Sequence, residues 1–196
     1  MTCNKSVSSI KKISEVLKKG GIVILPTDTV YGFSGIVDFK NSTAYETDCR
    51  IRCIKGREEN KPLIQLISEP EDIRKFTDVE IPSDIFKFWP GSLTVIVPLK
   101  KDSPLKTNLP TVAFRCPGDE WLRNVIKETG CPIYSTSVNR SGCPVIERIA
   151  DIKKEFEGEV DFVVDDGDKI GSLPSTLVVL EDGNYRVLRQ GSVILP

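Results

Sequence analysis

Apolar residues recur along the chain in two spacings, one typical of amphipathic helices and one typical of short buried strands. From Ser8 to Lys19 they fall on one side of a helix, and Gly20 and Gly21 then end it. The helical pattern predicts Ser8–Lys19, Glu46–Ile54, Pro70–Phe76, Ser83–Trp89, Trp121–Thr129 and Ile149–Phe156. The strand pattern predicts Ile22–Leu25, Leu63–Ile67, Leu93–Leu99, Thr111–Cys116, Ile133–Ser137, Val160–Val164, Ser175–Leu180 and Tyr185–Leu188.

The order of these elements predicts an α/β fold. Several strands follow one another with no helix between them, which favours a twisted sheet of parallel and antiparallel strands flanked by helices. The chain of 196 residues shows no internal repeat and no long linker. A single domain covering residues 1–196 is therefore expected.

The amino-acid composition limits the class of protein and the catalytic groups that this chain can use. Apolar residues make up 39% of the chain, charged residues 28%, and the formal net charge is −1, as in a soluble globular protein. No run approaches the ~18 apolar residues of a membrane span, and the polar, lysine-rich N-terminus does not resemble a signal peptide, so a cytoplasmic location is expected. There is no histidine, which excludes a Ser-His-Asp or Cys-His nucleophile.

Six cysteines do not indicate a disulfide scaffold in a chain of this length and apolar content. Cys49 and Cys53 are four residues apart and can share one side of a helix, but a zinc site needs further ligands at suitable spacing. No metal site made of protein side chains is predicted.

The first candidate motif is Pro26–Gly32, which follows a predicted strand with two threonines, an aspartate and a tyrosine. Ligands of open α/β sheets bind beyond the carboxyl ends of strands. The same residue types also form ordinary polar turns. Both interpretations remain open from the sequence.

The second motif is Lys55-Gly56-Arg57, in which two cations flank a glycine. Arginine and lysine both bind phosphate or carboxylate groups. Cations also stabilise a solvated helix C-terminus without binding a ligand.

The third motif, Ser135–Gly142, carries four hydroxyls, one amide and one guanidinium. It is either a loop that donates hydrogen bonds to phosphate oxygens or a capped turn. Neither a G-x-G-x-x-G motif nor a P-loop is present. The hydroxyl-rich strand ends and the dispersed cations together indicate a cleft for an anionic small molecule.

Seven segments occur here in a fixed order: PTDTVYG, KGR with KPL, WPGSLT, VAFRCP, STSVNRSG, PST and RQG. This ordered set resembles the YrdC/TsaC family of L-threonylcarbamoyladenylate synthases, roughly from Ser9 to Gly191. The resemblance implies a YrdC-like fold with a central cleft. It also implies a reaction in which L-threonine, bicarbonate or CO2, and ATP give threonylcarbamoyl-AMP and pyrophosphate, with Mg2+ as cofactor. A separate complex then transfers the threonylcarbamoyl group to adenosine 37 of tRNA.

The resemblance also implies roles for individual residues. The expected catalytic residues are Lys55, Arg57, Ser137 and Asn139. The expected ATP-binding residues are Lys55, Arg57, Lys61, Thr111, Ser137, Asn139, Val145 and Arg189. The expected threonine-binding residues are Thr29, Tyr31, Arg115, Ser135 and Ser175. Asp28 is a conceivable proton acceptor for the threonine amine, although an ordinary aspartate is a poor one.

Several positions depart from the family pattern. Glu58 stands where many relatives have proline, and Leu66 stands where many have histidine. The segment Phe33–Asp48 is longer than usual, which predicts an altered loop near the mouth of the cleft. The chain ends soon after RQG, so the extra C-terminal domain of longer members is not expected.

Two other functions compete with synthesis. The first is RNA binding, with possible direct contact to tRNA, because some relatives of this fold bind RNA. The near-neutral charge and the lack of a basic stripe with interleaved aromatics argue against it. The second is carbamoyl transfer, which resembles hydrogenase-maturation proteins but normally requires additional domains. No membrane partner is expected.

Overall fold

The computed structural model of the chain describes residues 1–39, 46–58, 62–181 and 184–196. Within these ranges ten strands form one sheet. They are β1 (Thr2–Asn4), β2 (Val23–Leu25), β3 (Gly32–Ile36), β4 (Ile64–Leu66), β5 (Leu93–Pro98), β6 (Thr111–Arg115), β7 (Ile133–Ser137), β8 (Phe162–Asp165), β9 (Thr176–Glu181) and β10 (Asn184–Arg189). The helices are α1 (Ser9–Lys18), α2 (Thr47–Lys55), α3 (Ser83–Phe86), α4 (Glu120–Thr129) and α5 (Ile149–Phe156), with a 3-10 helix at Pro70–Lys75.

The sheet mixes both strand directions, which confirms the predicted fold class. Its order is β1-β8-β2-β3-β7-β4-β6-β5-β9-β10. The pairs β1/β8, β2/β8, β4/β6 and β5/β9 are parallel, and the remaining neighbours are antiparallel.

Two hydrophobic cores lie on the two faces of this sheet. The larger core includes Phe33, Phe114 and Phe156, and the first and last of these rings meet edge to face. The second core includes Leu17 of α1 and Val125 of α4. Directly paired residues of neighbouring strands point to the same face, so the register assigns each strand residue to one core or the other.

Strands β1 and β3 are absent from the sequence prediction. The β3 segment GFSGI contains two glycines, which weaken a strand signal because glycine has low β-propensity. The fold explains Gly35, because a Cβ there would lie 2.8 Å from the Cβ of Thr47 in α2. The close packing of α2 on β3 therefore requires a residue without a side chain.

Two helix predictions were only partly correct. The helix predicted over Ser83–Trp89 ends at Phe86, and the one over Pro70–Phe76 is a 3-10 helix. By contrast, the bounds predicted for β7 and α5 are those of the structure. The segment Phe33–Asp48, predicted to be longer than usual, includes residues 40–45, which lie outside the described ranges.

Candidate active site

The second core covers only part of its face of the sheet, and a polar surface continues beyond it. On β7, Ile133 belongs to this core, so by alternation Ser135 and Ser137 share its face. On β6, Arg115 pairs with Leu66, another residue of the same core. Serine, threonine and arginine side chains from separate parts of the chain thus reach one face, which we call the cleft face.

Arg115 is the centre of the first polar cluster. It is 5% exposed, and its Nη1 donates to Thr29 Oγ1 at 2.9 Å while its Nη2 donates to Asp28 Oδ1 at 2.5 Å. Its Nε donates to the carbonyl oxygen of Gly91 at 3.0 Å. A guanidinium carries five N–H groups, and the described residues accept from three of them. Two donors remain for a ligand such as a carboxylate.

Thr27 holds Thr29 in place. The hydroxyl of Thr27 donates to the carbonyl of Val30 at 2.8 Å, so its proton is committed within the turn. The hydroxyl of Thr29, 2.9 Å away, therefore donates to Thr27 and accepts from Arg115. Thr27 shapes the turn, and Thr29 is oriented toward the guanidinium.

Asp28 is an ion-pair partner of Arg115. Burial alone would raise the pKa of Asp28, but the charge and hydrogen bond of Arg115, with backbone N–H groups that include that of Gly118, hold it below its ordinary value. Ser92 Oγ also donates to Asp28 Oδ2 at 3.2 Å. A carboxylate stabilised in this way is a poor proton acceptor for an ammonium group, so the geometry argues against Asp28 as the base.

A second cluster adjoins the first at the start of β9. Ser175 Oγ lies 2.7 Å from the buried Thr94 Oγ1, and Arg189 donates to the carbonyl of Ser175 through Nε and Nη2. Burial and the nearby charge of Arg115 both lower the pKa of Arg189. The two guanidinium groups therefore make this end of the cleft face electropositive.

A β-bulge aims Arg189 at this cluster. Arg186 pairs with Val179 and Val187 with Val178, but the next pair joins Arg189 to Leu177, which leaves Leu188 as the extra residue. In a regular ladder residue 188 would oppose Leu177. The bulge thus places Arg189 on the cleft face, a common use of bulges beside binding sites.

The third cluster joins the end of α2 to the loop after β7. Lys55 is 2% exposed, and its ammonium donates to the carbonyl of Ser137, to the carbonyl of Asn139 at 3.0 Å and to Asn139 Oδ1 at 2.8 Å. The amide N–H of Ser141 donates back to the carbonyl of Lys55 at 2.8 Å. All three N–H groups of the lysine are therefore used within the protein.

Burial and the charge of Arg57 lower the pKa of Lys55 to about 8. The ammonium also lies 5.6 Å from the ring centroid of Phe33, a cation–π contact. Arg57 itself is half-buried and donates to the carbonyl of Pro62 at 3.2 Å. Burial and the charge of Arg52 lower the pKa of Arg57.

Gly32 lets β7 approach β3 on the cleft face. A Cβ at Gly32 would lie 2.7 Å from Ser135 Oγ, so any larger residue would displace that hydroxyl. Thr111, the exposed first residue of β6, lies opposite Pro98. Val145 is half-buried in the loop that follows Asn139.

Tyr31 is placed differently from the other predicted contacts. Its side chain is fully buried in the larger core, and its hydroxyl donates to the carbonyl of Gly167 and accepts from the N–H of Asp166, each at 2.8 Å. Burial raises its pKa to about 12. The structure does not bring this side chain to the cleft face. Lys61 lies outside the described residues.

Two members of the site, Thr94 and the carbonyl of Gly91, have no predicted role in the sequence. Thr94 and the carbonyl of Gly91 belong to WPGSLT, a segment whose individual residues are unremarkable turn and strand formers. Only the pairing of β5 with β6 and β9 brings Thr94 beside Ser175. Two depressions of about 330 and 510 Å³ lie elsewhere on the surface and are lined by other residues.

The described residues contain no group of three or more Cys, Asp or Glu side chains placed to hold a metal ion. No helix in these ranges has the length and apolar composition that crossing a bilayer requires.

A protein-family model described as "Telomere recombination", which covers Sua5, YciO and YrdC, matches residues 15–191. The chain belongs to this Sua5/YciO/YrdC family. This membership confirms the resemblance drawn from the seven ordered motifs.

Curated relatives of this chain are named as threonylcarbamoyl-AMP synthases. The threonylcarbamoyl-AMP synthase of Bacillus subtilis is 33% identical over 94% of this chain and 54% of its own length. A putative threonylcarbamoyl-AMP synthase of Methanocaldococcus jannaschii is also 33% identical, over 93% of this chain and 87% of its own. The chain thus spans about half of the first relative and most of the second.

Among solved structures, P. abyssi Sua5 complexed with L-threonine superimposes with a TM-score of 0.81 at 28% identity. The match covers 97% of this chain and 56% of that protein. The Sua5/YciO/YrdC fold therefore extends over nearly the whole chain.

Proposed function

We propose that the protein forms threonylcarbamoyl-AMP and pyrophosphate from L-threonine, bicarbonate or CO2, and ATP. The observation that carries the proposal is the cleft face. The Thr29–Arg115 pair lies on this surface together with the segment from Ser137 to Cys143, which we call the Ser137 loop. Family membership and the names of the relatives support the same activity.

The amino acid binds at Arg115 in this proposal. Its carboxylate takes the two N–H groups of the guanidinium that the protein leaves available, and Thr29 is oriented beside them. Ser135 and Ser175 complete the proposed threonine site. The zwitterionic substrate suits a site in which Arg115 is already neutralised in part by Asp28.

The nucleotide binds toward the Ser137 loop. Arg57 and Arg189 supply positive charge for its phosphates, and Thr111 and the Val145 backbone lie on its proposed path. Lys55 and Asn139 are buried and hold the loop. The nucleotide would bind as its Mg2+ complex, because this ion commonly binds through substrate phosphates and few protein ligands. The ion would neutralise part of the charge on the phosphates.

The chemistry needs little from side chains beyond position and charge. The amine, once its ammonium proton has passed to solvent, adds to CO2 and releases a second proton to solvent as it forms a carbamate. A carbamate oxygen then attacks the α-phosphorus as the bond to the pyrophosphate breaks. Bringing the reactants together and stabilising the charge that develops on the phosphates both accelerate such a reaction. We propose that the product then serves the modification of adenosine 37 in tRNA through a separate transfer complex.

The test uses pure protein with ATP, Mg2+, bicarbonate and labelled threonine. Threonine-dependent release of pyrophosphate and formation of threonylcarbamoyl-AMP without RNA are expected. Arg57→Ala should abolish synthesis and leave the fold intact. Tight tRNA binding without turnover would instead favour the RNA-binding function and reject the synthase.

A further inference from the structure

The hydrogen bonds of Asn139 establish which end of its amide faces which neighbour. Its Nδ2 lies 2.9 Å from the carbonyl oxygen of Arg140 and 2.7 Å from that of Cys143, and carbonyl oxygens only accept. Its Oδ1 lies 2.8 Å from the ammonium of Lys55, which only donates. All three neighbours require the same orientation of the amide.

This orientation decides the direction of the hydrogen bond to Ser137. Ser137 Oγ is 2.8 Å from Asn139 Oδ1, an oxygen that carries no proton. The hydroxyl of Ser137 must therefore donate its single proton to Asn139. Only lone pairs of Ser137 Oγ remain for a ligand, and the residue is half-buried on the cleft face, where a ligand can reach it.

An oxygen that offers only lone pairs repels phosphate oxygens and attracts positive groups. We propose that Ser137 acts as an acceptor for an electropositive group of the substrates and does not donate to a phosphate. Given the proposed function, on which this inference rests, that group is either the metal ion carried by the triphosphate or the ammonium of threonine. Lys55 and Asn139 then act as positioning residues that commit the Ser137 proton.

The experiment measures three affinities of Ser137→Ala by titration calorimetry: for ATP in EDTA, for ATP with Mg2+, and for threonine. The affinity for metal-free ATP should stay within about twofold of the wild type. A loss of about tenfold, the usual scale for one lost hydrogen bond, is expected in one of the other two. Loss for Mg·ATP identifies the metal, and loss for threonine identifies the ammonium.

Two results would overturn the inference: a tenfold loss of affinity for metal-free ATP, and unchanged affinity for all three ligands. Ser137→Cys repeats the test with a side chain of similar size, since sulfur is a weak acceptor. Ser137→Thr keeps the hydroxyl and should restore the wild-type pattern. Ser141→Ala removes an exposed hydroxyl from the same loop and serves as the matched control.

A thermal unfolding curve for each variant separates loss of binding from loss of folding. Failure of the proposed function appears in the wild type, as absence of threonylcarbamoyl-AMP. Failure of the present inference appears only in the variants, as weaker binding of metal-free ATP or unchanged affinity for all three ligands, alongside an active wild type.

Discussion

Lys55 and Arg115 are both buried cations of the candidate site, and the protein uses them in opposite ways. Lys55 gives all three of its N–H groups to the loop after β7. Arg115 gives three of its five to Thr29, Asp28 and Gly91. A buried charge needs partners in both cases. A cation whose donors are all used positions its surroundings, whereas one with donors to spare can also receive a ligand.

The two cations differ also in how far their contacts extend. The hydrogen bonds of Lys55 end on residues 137 and 139 of one loop. Those of Arg115 join the turn after β2 to the segment before β5, and Asp28 extends the network to Ser92 and Gly118. A change at Arg115 should therefore spread through several segments, and a change at Lys55 should remain local.

The largest effect is expected for Arg115→Ala. It removes the proposed carboxylate site and leaves Asp28 without its ion-pair partner, so unfolding should become easier by about 3 kcal/mol. Threonine-dependent pyrophosphate release should fall at least about a hundredfold, the scale of losing several charged hydrogen bonds. Urea unfolding and an initial-rate assay measure the two effects.

Arg115→Lys is the matched control, because it keeps the charge but loses the planar fork. It should recover part of the stability and little of the threonine affinity. An unchanged KM for threonine in Arg115→Ala would show that the spare donors of the guanidinium are not the carboxylate site.

A smaller and more local effect is expected for Lys55→Met. The methionine fills similar space but leaves two carbonyls and Asn139 Oδ1 with fewer donors, which should destabilise the fold by about 1–3 kcal/mol. ATP affinity should fall because the Ser137 loop loses its support, while threonine affinity should fall by much less than in Arg115→Ala because the proposed carboxylate site is intact.

Lys19→Met is the control for Lys55→Met, since Lys19 is an exposed lysine at the end of α1. Equal unfolding free energies for the two variants would contradict a clamping role. A loss of threonine affinity in Lys55→Met as large as that in Arg115→Ala would contradict the contrast between a local and an extended network.

Arg189→Ala should reduce kcat/KM about tenfold, the scale of one charged hydrogen bond. Deletion of Leu188, by contrast, should leave activity near that of the wild type. Without the extra residue the ladder becomes regular, and Arg189 still opposes Leu177. An inactive Leu188 deletion that retains its fold would show that the bulge does more than place Arg189.

The smallest effect concerns acid stability. Asp28 has a pKa below its ordinary value in the folded protein, so its contribution is present above the unfolded pKa of about 4 and is lost as the pH falls through the native pKa. Asp28→Asn should therefore lower stability at pH 7 and flatten the dependence on pH below about 5.

Urea unfolding from neutral to acidic pH measures this difference, with the exposed Asp102→Asn as the matched control. Curves for the wild type and Asp28→Asn that stay parallel down to the acid limit would show that the pair with Arg115 does not shift the carboxyl.

Local patterns predicted the fold well where hydrophobic spacing is strong. The bounds of Ile133–Ser137 and Ile149–Phe156 come directly from such spacing. The pattern failed at Gly32–Ile36, where the residues are chosen for close packing against α2 and β7 and not for strand propensity. This strand is central to the sheet, so a weak local signal can mark an essential element.

For the candidate site too, the sequence predicted some features correctly in kind and missed others that depend on the fold. Motif order predicted Thr29, Arg115, Ser137 and Arg189 in one site. Strand register puts Arg115, Ser137 and Arg189 on one face, and Thr29 accepts a hydrogen bond from Arg115. Motif membership also predicted Tyr31 as a contact, but its side chain packs in the larger core, where the loop after β8 satisfies its hydroxyl. Thr29 and Tyr31, two positions apart in one motif, thus have different surroundings: Thr29 contacts Arg115 and Tyr31 packs in the larger core.

Most of the helices and strands, the motifs of the family and a chemistry without histidine follow from the amino-acid sequence alone. The tertiary structure decided which polar groups are still available to a ligand. Lys55 and the Ser137 carbonyl are 82 positions apart, and Arg115 and Asp28 are 87 apart. Hydrogen bonds over such separations depend on how the strands pair, so no local pattern reveals which donors the fold has already used.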